Sequence, residues 1–587
     1  MEKLKATCLL LVSVVSVSMG QKIFDLIQSD DPVKVSEVVK EAGIYFAKAG
    51  KENNSGYKLY ERWLDWAIRS MDANGYTITS KQAYEERQKF DNTFKNTKMA
   101  FNGDWKELGP KEWTLGSSWS AGLGRIVSMA VEPNNQQLMY VGSPGGGLWK
   151  SLNAGASWVP LADQANMSIW SIAIDPLDNN KVYVGNTSGF IRSSDGGLTW
   201  ATGTGTQGTL RRILIHPANT NQIWAASTSG IFYSSNAGAT FSKVSATSTE
   251  DIDFKPGNTS VMYACGGSFQ LSADGGQTWN IITNGITSAE RMRMDVTDAA
   301  PDNVYLLQKS GTGFGRIYKS VDSGNNFSVL CDIANAGTPN YLGSQASRNM
   351  GIAVSNTNAN EVHIGGLDYY RSMDGGATFT KLCAWNSPGS SSYVHADIEF
   401  MHYVNGKIYV GSDGGIFRSS NQGNTMADLT QNGVGVRQYY RIGGYPADAN
   451  LVGGGAQDNG TNIMKGSSHE FIEWLGADGM ETFIDYTNPN ILYGTSQYGT
   501  LYKSTNGGTS RTTLSGLPGD GKGEWETPFE MDPVDHNTIY VGYEELFRSR
   551  SAGSSGSWVS LTDSITLNDD LDEVKIAPSN NDYIYIA

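Results

Sequence analysis

Asp413 stands in GSDGG, Asp458 in GAQDNG and Asp478 in GADGM, three carboxylates each set among glycines. His395 and Asp397 lie in VHADIEF, Gln457 precedes Asp458, and Glu481 follows Asp478 by three residues. Two carboxylates facing each other across a glycosidic bond suit acid/base hydrolysis. A gap of roughly 5–5.5 Å gives retention and roughly 6.5–9.5 Å gives inversion. Tyr439 and Trp474, with Tyr393 and Tyr440, are near in sequence and offer flat faces that stack on sugar rings. On this reading Asp413, Asp458 and Asp478 are candidate catalytic groups. His395, Asp397, Gln457, Glu481, Tyr439 and Trp474 are candidate ligand-binding groups. A plainer reading stands beside it: Asp-Gly and Asp-Asn-Gly are turn sequences, and the carboxylates could simply cap their own turns. A His beside a carboxylate raises a metal site, but the spacing is not diagnostic and no metal ligand set is expected.

The elements that must position these residues are repeats. SSDGGLTW begins at Ser193, and its relatives begin at Ser151, Ser234, Ser272, Ser320, Ser372, Ser419 and Ser504. The pattern is Ser-x-Asp/Asn-x-Gly-x-x-aromatic. A decayed copy starts at Ser549 and a degenerate one runs from Ser467 to Trp474. Asp or Asn accepts backbone N–H groups two or more residues on, Gly supplies the positive φ of a tight turn, and the aromatic opens the next strand. Asp195, Asp274, Asp322 and Asp374 are therefore expected to be structural. Before each such box come an apolar strand, a Pro/Asn turn, a second strand, a Gly-rich turn and a third strand, as in WSIAIDPLDNNKVYVGNTSGFIRSS (170–194). Four antiparallel strands in about 45 residues is a propeller blade. Eleven such starts occur, the last at 574–587. The Pro/Asn turn and the box fall on one face of a blade. The Gly-rich turn and the entry to the innermost strand fall on the other, where His395, Asp397, Asp413, Asp458, Asp478 and Glu481 all lie.

Composition agrees. The 587 residues include 69 Gly, 15 Trp and 28 Tyr but only 18% charged residues, which suits many short strands and tight turns. The net charge of −15 argues against a nucleic-acid groove. Four Cys with no CxxC spacing form neither a disulfide framework nor a zinc site. Residues 1–20, MEKLKATCLLLVSVVSVSMG, read as a signal peptide whose apolar core is too short to span a bilayer, so export is expected. Residues 21–108 are charged and Gly-poor. In YKLYERWLDWAIRSM a stripe of Leu59, Trp63, Trp66 or Ala67, and Ser70 or Met71 predicts a helical docking face, packed on the domain behind it.

The Ser-x-Asp-x-Gly-x-x-Trp pattern is the Asp-box, or BNR, repeat. From about residue 100 the chain resembles the Asp-box propellers grouped with sortilin and the family 74 xyloglucan-degrading glycoside hydrolases. It is more similar still to large surface proteins of Bacteroidetes in that group. GRIVSMAVEPNNQQLMYVGSPGGGLWKS, VHADIEF (394–400), YVGSDGGIFRS (409–419), QYYRIGG (438–444), GGAQDNGTN (454–462) and GADGMETFID (476–485) carry the resemblance. It implies a secreted or surface protein that cleaves or binds polysaccharide, with attachment through a C-terminal sorting domain of type IX secretion. In the hydrolase relatives one catalytic Asp comes from each of two propellers across a cleft. The motifs around those residues are not matched here. Sialidases also carry the box and need an Arg-Ile-Pro, but Arg125-Ile126 is followed by Val127 and Arg212-Ile213 by Leu214, so neither copy has the Pro.

The expected fold is all-β: a seven-bladed propeller over 109–435 and the start of a second over 436–587, after the helical leader. One ten-bladed, sortilin-like ring is the alternative. The expected partner is a polysaccharide or surface glycan, or else a protein ligand bound by a non-catalytic module. Neither nucleic acid nor a membrane span is expected. No cofactor is implied, and calcium at an acidic turn stays open.

Overall fold

The computed structural model describes residues 22–587, except 25, 28, 30, 52–54, 80–81, 83–84, 87–88, 90–92, 94–106, 162–167, 188, 466–469, 518, 520 and 564–569. The signal segment and the first residues of the degenerate box, 467–469, lie outside the described residues. The chain divides into two compact units near residue 103.

The first unit is helical. Helix α1 (Val35–Ala49) presents Val38, Ala42 and Phe46 on one face. Helix α2 (Tyr57–Ser70) answers with Tyr60, Trp63 and Ala67, and Ile23 completes the cluster. The buried stripe of α2 is thus set one position away from Leu59, and it packs on α1. Trp66, placed in the stripe by its spacing, is 49% exposed.

The second unit is built of β-sheets, eleven among the described residues. The first seven each have four antiparallel strands in chain order. Their first strands are Ser128–Val131, Ser171–Ile174, Leu210–Ile215, Thr249–Lys255, Met292–Val296, Gly351–Val354 and Ile398–Val404. Residues of all seven first strands line a cavity of about 510 Å³. The first sheet packs on the seventh: Ile126, Met129 and Val141 share one core with Phe400, Tyr409 and Ile416. The eighth, ninth and tenth sheets begin with Tyr439–Tyr445, Gly479–Ile484 and Phe529–Met531, and a two-stranded sheet over 574–586 follows. The chain is an all-β propeller protein with a short helical leader.

Two kinds of turn recur from sheet to sheet. In the box at 272, the Ser272 hydroxyl accepts the Gly276 N–H (2.8 Å) and donates to Asp274 Oδ1 (2.8 Å). Asp274 accepts the N–H groups of Gln277 and Thr278 (3.0 Å each) and the Thr278 hydroxyl (2.6 Å). Asp195, Asp322 and Asp374 repeat this pattern, and Asn153, Asn236, Asn421 and Asn506 replace it with an amide. The Pro/Asn turn has its own acceptor, a role the sequence reading did not assign. Glu132, Asp175, Asp485 and Asp532, all nearly fully buried, each accept the N–H two residues on. His216 takes that place in the third sheet through Nδ1.

A strap ties the two groups of sheets. Thr114–Leu115 pairs in parallel with Glu470–Leu475, the outer strand of the eighth sheet. The strap then donates Ser118 Oγ–H to Leu475 O (2.8 Å), the Leu123 N–H to Gly414 O (2.9 Å) and the Ile126 N–H to Ser412 O (3.0 Å).

The box makes a measurable prediction. Asp274 is held down to about 2 by the Thr278 hydroxyl and N–H, which outweigh its slight burial. A carboxylate lowered by folding adds stability above its unfolded value near 4, and that stability is lost as pH falls toward 2. Asp274→Ala is expected to lower stability by about 1 kcal/mol at pH 7. Asp274→Asn should cost less and should flatten the acid limb of the stability curve. Urea denaturation from pH 7 to pH 2 checks both; equal losses in the two variants would refute the turn role.

Candidate functional site

The seventh and eighth sheets meet at the face carrying the Gly-rich turns. Asp397 immediately precedes strand Ile398–Val404, Asp413 follows Lys407–Ser412, and Asp458 follows Asp448–Ala456. One carboxylate oxygen from each lies within 4.8 Å of the other two. Asp397 (φ 62°) and Asp458 (φ 58°) both hold left-handed backbone, a conformation few non-Gly residues adopt. Asp397 and Asp413 are buried, whereas Asp458 is half-buried.

Asp478 joins this group through the backbone: its Oδ1 accepts the Asp458 N–H at 3.0 Å. Its own N–H donates to Gln497 Oε1 (3.2 Å), and the residue is fully buried. His395 is 1% exposed and packs over Gly414, where a Cβ would come within 2.2 Å of the ring. Its Nδ1 lies 3.2 Å from Ala396 O, and burial keeps the imidazole below its usual pKa, hence neutral. Gln457 donates from Nε2 to Asp458 Oδ2 (3.4 Å) and accepts the Tyr440 hydroxyl on Oε1 (3.4 Å).

Sequence reasoning missed two partners of this cluster. Arg125 Nε donates to Glu399 Oε1 at 2.6 Å and sits 3.1 Å from Asp413 Oδ1. Burial raises Glu399, but Arg125 and Arg348 outweigh it and hold this carboxylate low. Asp413 is pushed well up by its burial and by Glu399 and Asp458, more than Arg125 offsets. The available signal was Glu399 itself, a charge inside an apolar inner strand. The Arg125 guanidinium also lies 5.5 Å from the Trp170 ring, which Arg211 approaches at 4.6 Å.

Other expected site residues are placed elsewhere. Trp474 is fully buried among Leu451, Ile463, Leu475 and Ile484. It is a core aromatic, not a stacking platform, because Ile484 and Leu492 of the ninth sheet pack against it. Tyr439 is half-buried and donates its hydroxyl to Asn462 Oδ1 (3.0 Å). Tyr393 is buried and donates to Ala121 O (3.0 Å). Glu481 is paired with Arg441 at 3.0 Å, a guanidinium it shares with Glu526, and burial pushes it up to about 7. Half-buried Tyr440 and Tyr498 flank Trp525, with ring centroids 6.3 and 5.2 Å away. Tyr498 and Trp525 carried no repeat signal. The box carboxylates Asp195, Asp274, Asp322 and Asp374 stay in their own turns.

Beneath the cluster lies an ion pair between Arg437 and Glu473, whose side chains are 1% and 0% exposed. Arg437 also donates to Gly122 O (3.0 Å), to Asn459 O and to Gly460 O (3.3 Å). Asn459 Nδ2 in turn donates to Asp413 O (3.0 Å). The turn bearing Asp458 is thereby fixed to both the strap and the seventh sheet.

The fold is that of a β-propeller. The solved structures it is similar to include an ancestral GH74 enzyme, at 16% identity and TM-score 0.61, covering 81% of this chain and 75% of that one. The GH74 xyloglucanase from Xanthomonas campestris is similar at 15% identity and TM-score 0.57, covering 77% and 75%. In sequence, a xyloglucanase from a Paenibacillus species is 29% identical over 100 residues. That match spans 14% of this chain and a tenth of the length of the relative. No protein-family profile matches the chain.

Removing the acid of the buried pair should be costly, because it leaves a desolvated guanidinium. Glu473→Gln is expected to lose about 3–5 kcal/mol. The double variant Arg437→Met with Glu473→Leu should lose clearly less. Chemical denaturation of the three proteins reads this directly, and an equal loss in the single and double variants would contradict it.

Proposed function

We propose that this chain is an exported, glycoside hydrolase-like propeller that engages a β-glucan-type polysaccharide where the seventh and eighth sheets meet. The observation that carries this reading is the convergence of Asp397, Asp413 and Asp458 on one face, continuous through Gln457 with Tyr440 and the Trp525 aromatics. Tyrosine faces bind sugar rings by stacking, and acidic and amide groups accept and donate to their hydroxyls. Asp458, the least buried of the three, is the carboxylate a glycan can meet first. Asp478, hydrogen-bonded to its backbone, is its candidate partner in acid/base chemistry, with Asp413 behind them. The likeness to GH74 folds and the local likeness to a xyloglucanase favour a plant-type β-glucan.

The domain reading that goes with it is a seven-bladed ring over 109–435 and part of a second over 436–587. The cavity lined by seven inner strands supports it. Export is supported by the composition of residues 1–20, and no helix of the described residues is long and apolar enough to cross a membrane. Type IX sorting and surface attachment follow from the sequence resemblance.

A polysaccharide panel assayed for both binding and reducing ends tests the reading. Wild type is expected to bind and cleave a β-glucan, Tyr440→Ala to bind about tenfold more weakly, and Asp458→Asn and Asp478→Asn to lose cleavage while keeping binding. Binding without cleavage by wild type would leave the non-catalytic module in its place. No binding to any glycan would sink both.

A further inference from the structure

A regular strand sends neighbouring side chains to opposite faces. The inner strand of the third sheet departs from this at its entry end. Its register shifts between Leu210 and Arg212, which leaves Arg211 as an extra residue, and Arg211 and Arg212 both line the cavity of about 510 Å³. The inner strands of the fourth and seventh sheets bulge at the same place, around Glu250 and Glu399. Those two carboxylates have hydrogen-bonded counter-ions. Arg291 Nη2 donates to Glu250 at 3.2 Å, and Arg125 Nε donates to Glu399 at 2.6 Å.

Arg211 differs. Its Nε stands 3.9 Å from Glu250 Oε1, and that carboxylate already holds Arg291 and has Arg293 at 4.0 Å. Among the described residues nothing accepts a hydrogen bond from the Arg211 side chain, and its Nε is buried. A guanidinium carries five N–H donors, so this one is set for an acceptor from outside the protein. Other cations of the cavity wall are engaged: Arg212 with Asp253 (3.0 Å), Lys255 with Asp302 (2.5 Å) and Arg293 with Glu250 O (3.1 Å). Burial pushes Asp295, also in the wall, up to about 8, so it is uncharged at pH 7 and does not oppose an anion. Asp298 stands past the far end of its strand, toward the box face.

Two further groups define the ligand. The Arg211 guanidinium lies 4.6 Å from the Trp170 ring, which also lines the cavity. A guanidinium over an indole keeps its N–H edge for a planar, two-oxygen acceptor, and that is a carboxylate. Deeper along the wall is His402, whose ring makes no hydrogen bond among the described residues. Burial, with Arg212 and Arg293, holds it well below its usual pKa, hence neutral. A neutral imidazole donates at one nitrogen and accepts at the other, which suits a hydroxyl. The volume falls within the roughly 300–1,000 Å³ of small-ligand pockets.

We propose that this cavity binds a carboxylated sugar, a uronic acid, with Arg211 taking the carboxylate and His402 a ring hydroxyl. The site stands independently of the β-glucan reading, whose residues it does not use.

The full chain is titrated by calorimetry with glucuronate, galacturonate, glucose and acetate separately. One equivalent of at least one uronate is expected to bind. Glucose, which lacks the carboxylate, and acetate, which lacks the ring, should each bind at least tenfold more weakly. Arg211→Gln should weaken uronate binding at least tenfold, whereas Asp322→Asn, a box carboxylate, should bind as wild type does. Where Arg211→Gln fails to fold by circular dichroism, His402→Gln and wild-type crystals soaked in the uronate replace it. Density for the carboxylate against Arg211 supports the site. Absence of saturable uronate binding, glucose or acetate binding as tightly as the uronates, unchanged affinity in the variants, or density outside the cavity overturns it.

Discussion

Arg437 and Glu473 are buried together where three lengths of chain cross. The pair reaches the strap through Gly122, the Asp458 turn through Asn459 and Gly460, and the core of the eighth sheet through Asn462. A buried ion pair repays its desolvation only when its remaining donors are also satisfied. Here the guanidinium meets backbone carbonyls on one side and a carboxylate on the other. The acidic turns can approach one another because this pair holds the two groups of sheets in one register.

Two populations of carboxylate then part company. Those of the boxes are mostly exposed and accept hydrogen bonds from their own four residues, which is why Asn serves as well in half of the copies. Those of the junction are buried or half-buried and meet groups from other sheets. Motif and composition cannot separate the two, because both stand beside glycine in turn-like sequence. What differs is the origin of the partner: Asp274 is served by Ser272, Gln277 and Thr278, while Asp413 answers to Arg125, nearly three hundred residues earlier.

Much of the fold was legible because its causes are local. The box fixes a turn from eight residues, strand alternation marks each inner and outer edge, and both recur often enough to count. The carboxylate side of the site was legible for the same reason: blade topology assigns each turn to a face, which put Asp397, Asp413, Asp458 and Asp478 together. Trp474 was misjudged because sequence does not reveal that the ninth sheet packs Ile484 and Leu492 against it. Glu481 was grouped with Asp478 at the entry to the same inner strand, yet its partner is Arg441 on the neighbouring sheet.

Sequence by itself determined the repeating turn, the four-strand unit, the two faces of each sheet and the candidate acidic residues, since each depends on contacts within a few residues. Tertiary structure alone decided that the first sheet packs on the seventh. It also decided that a strap covers the eighth sheet, and that Arg125 and Glu399 share the buried acidic cluster. Those outcomes turn on side chains hundreds of residues apart, whose pairing is set by packing and desolvation rather than by any spacing along the chain.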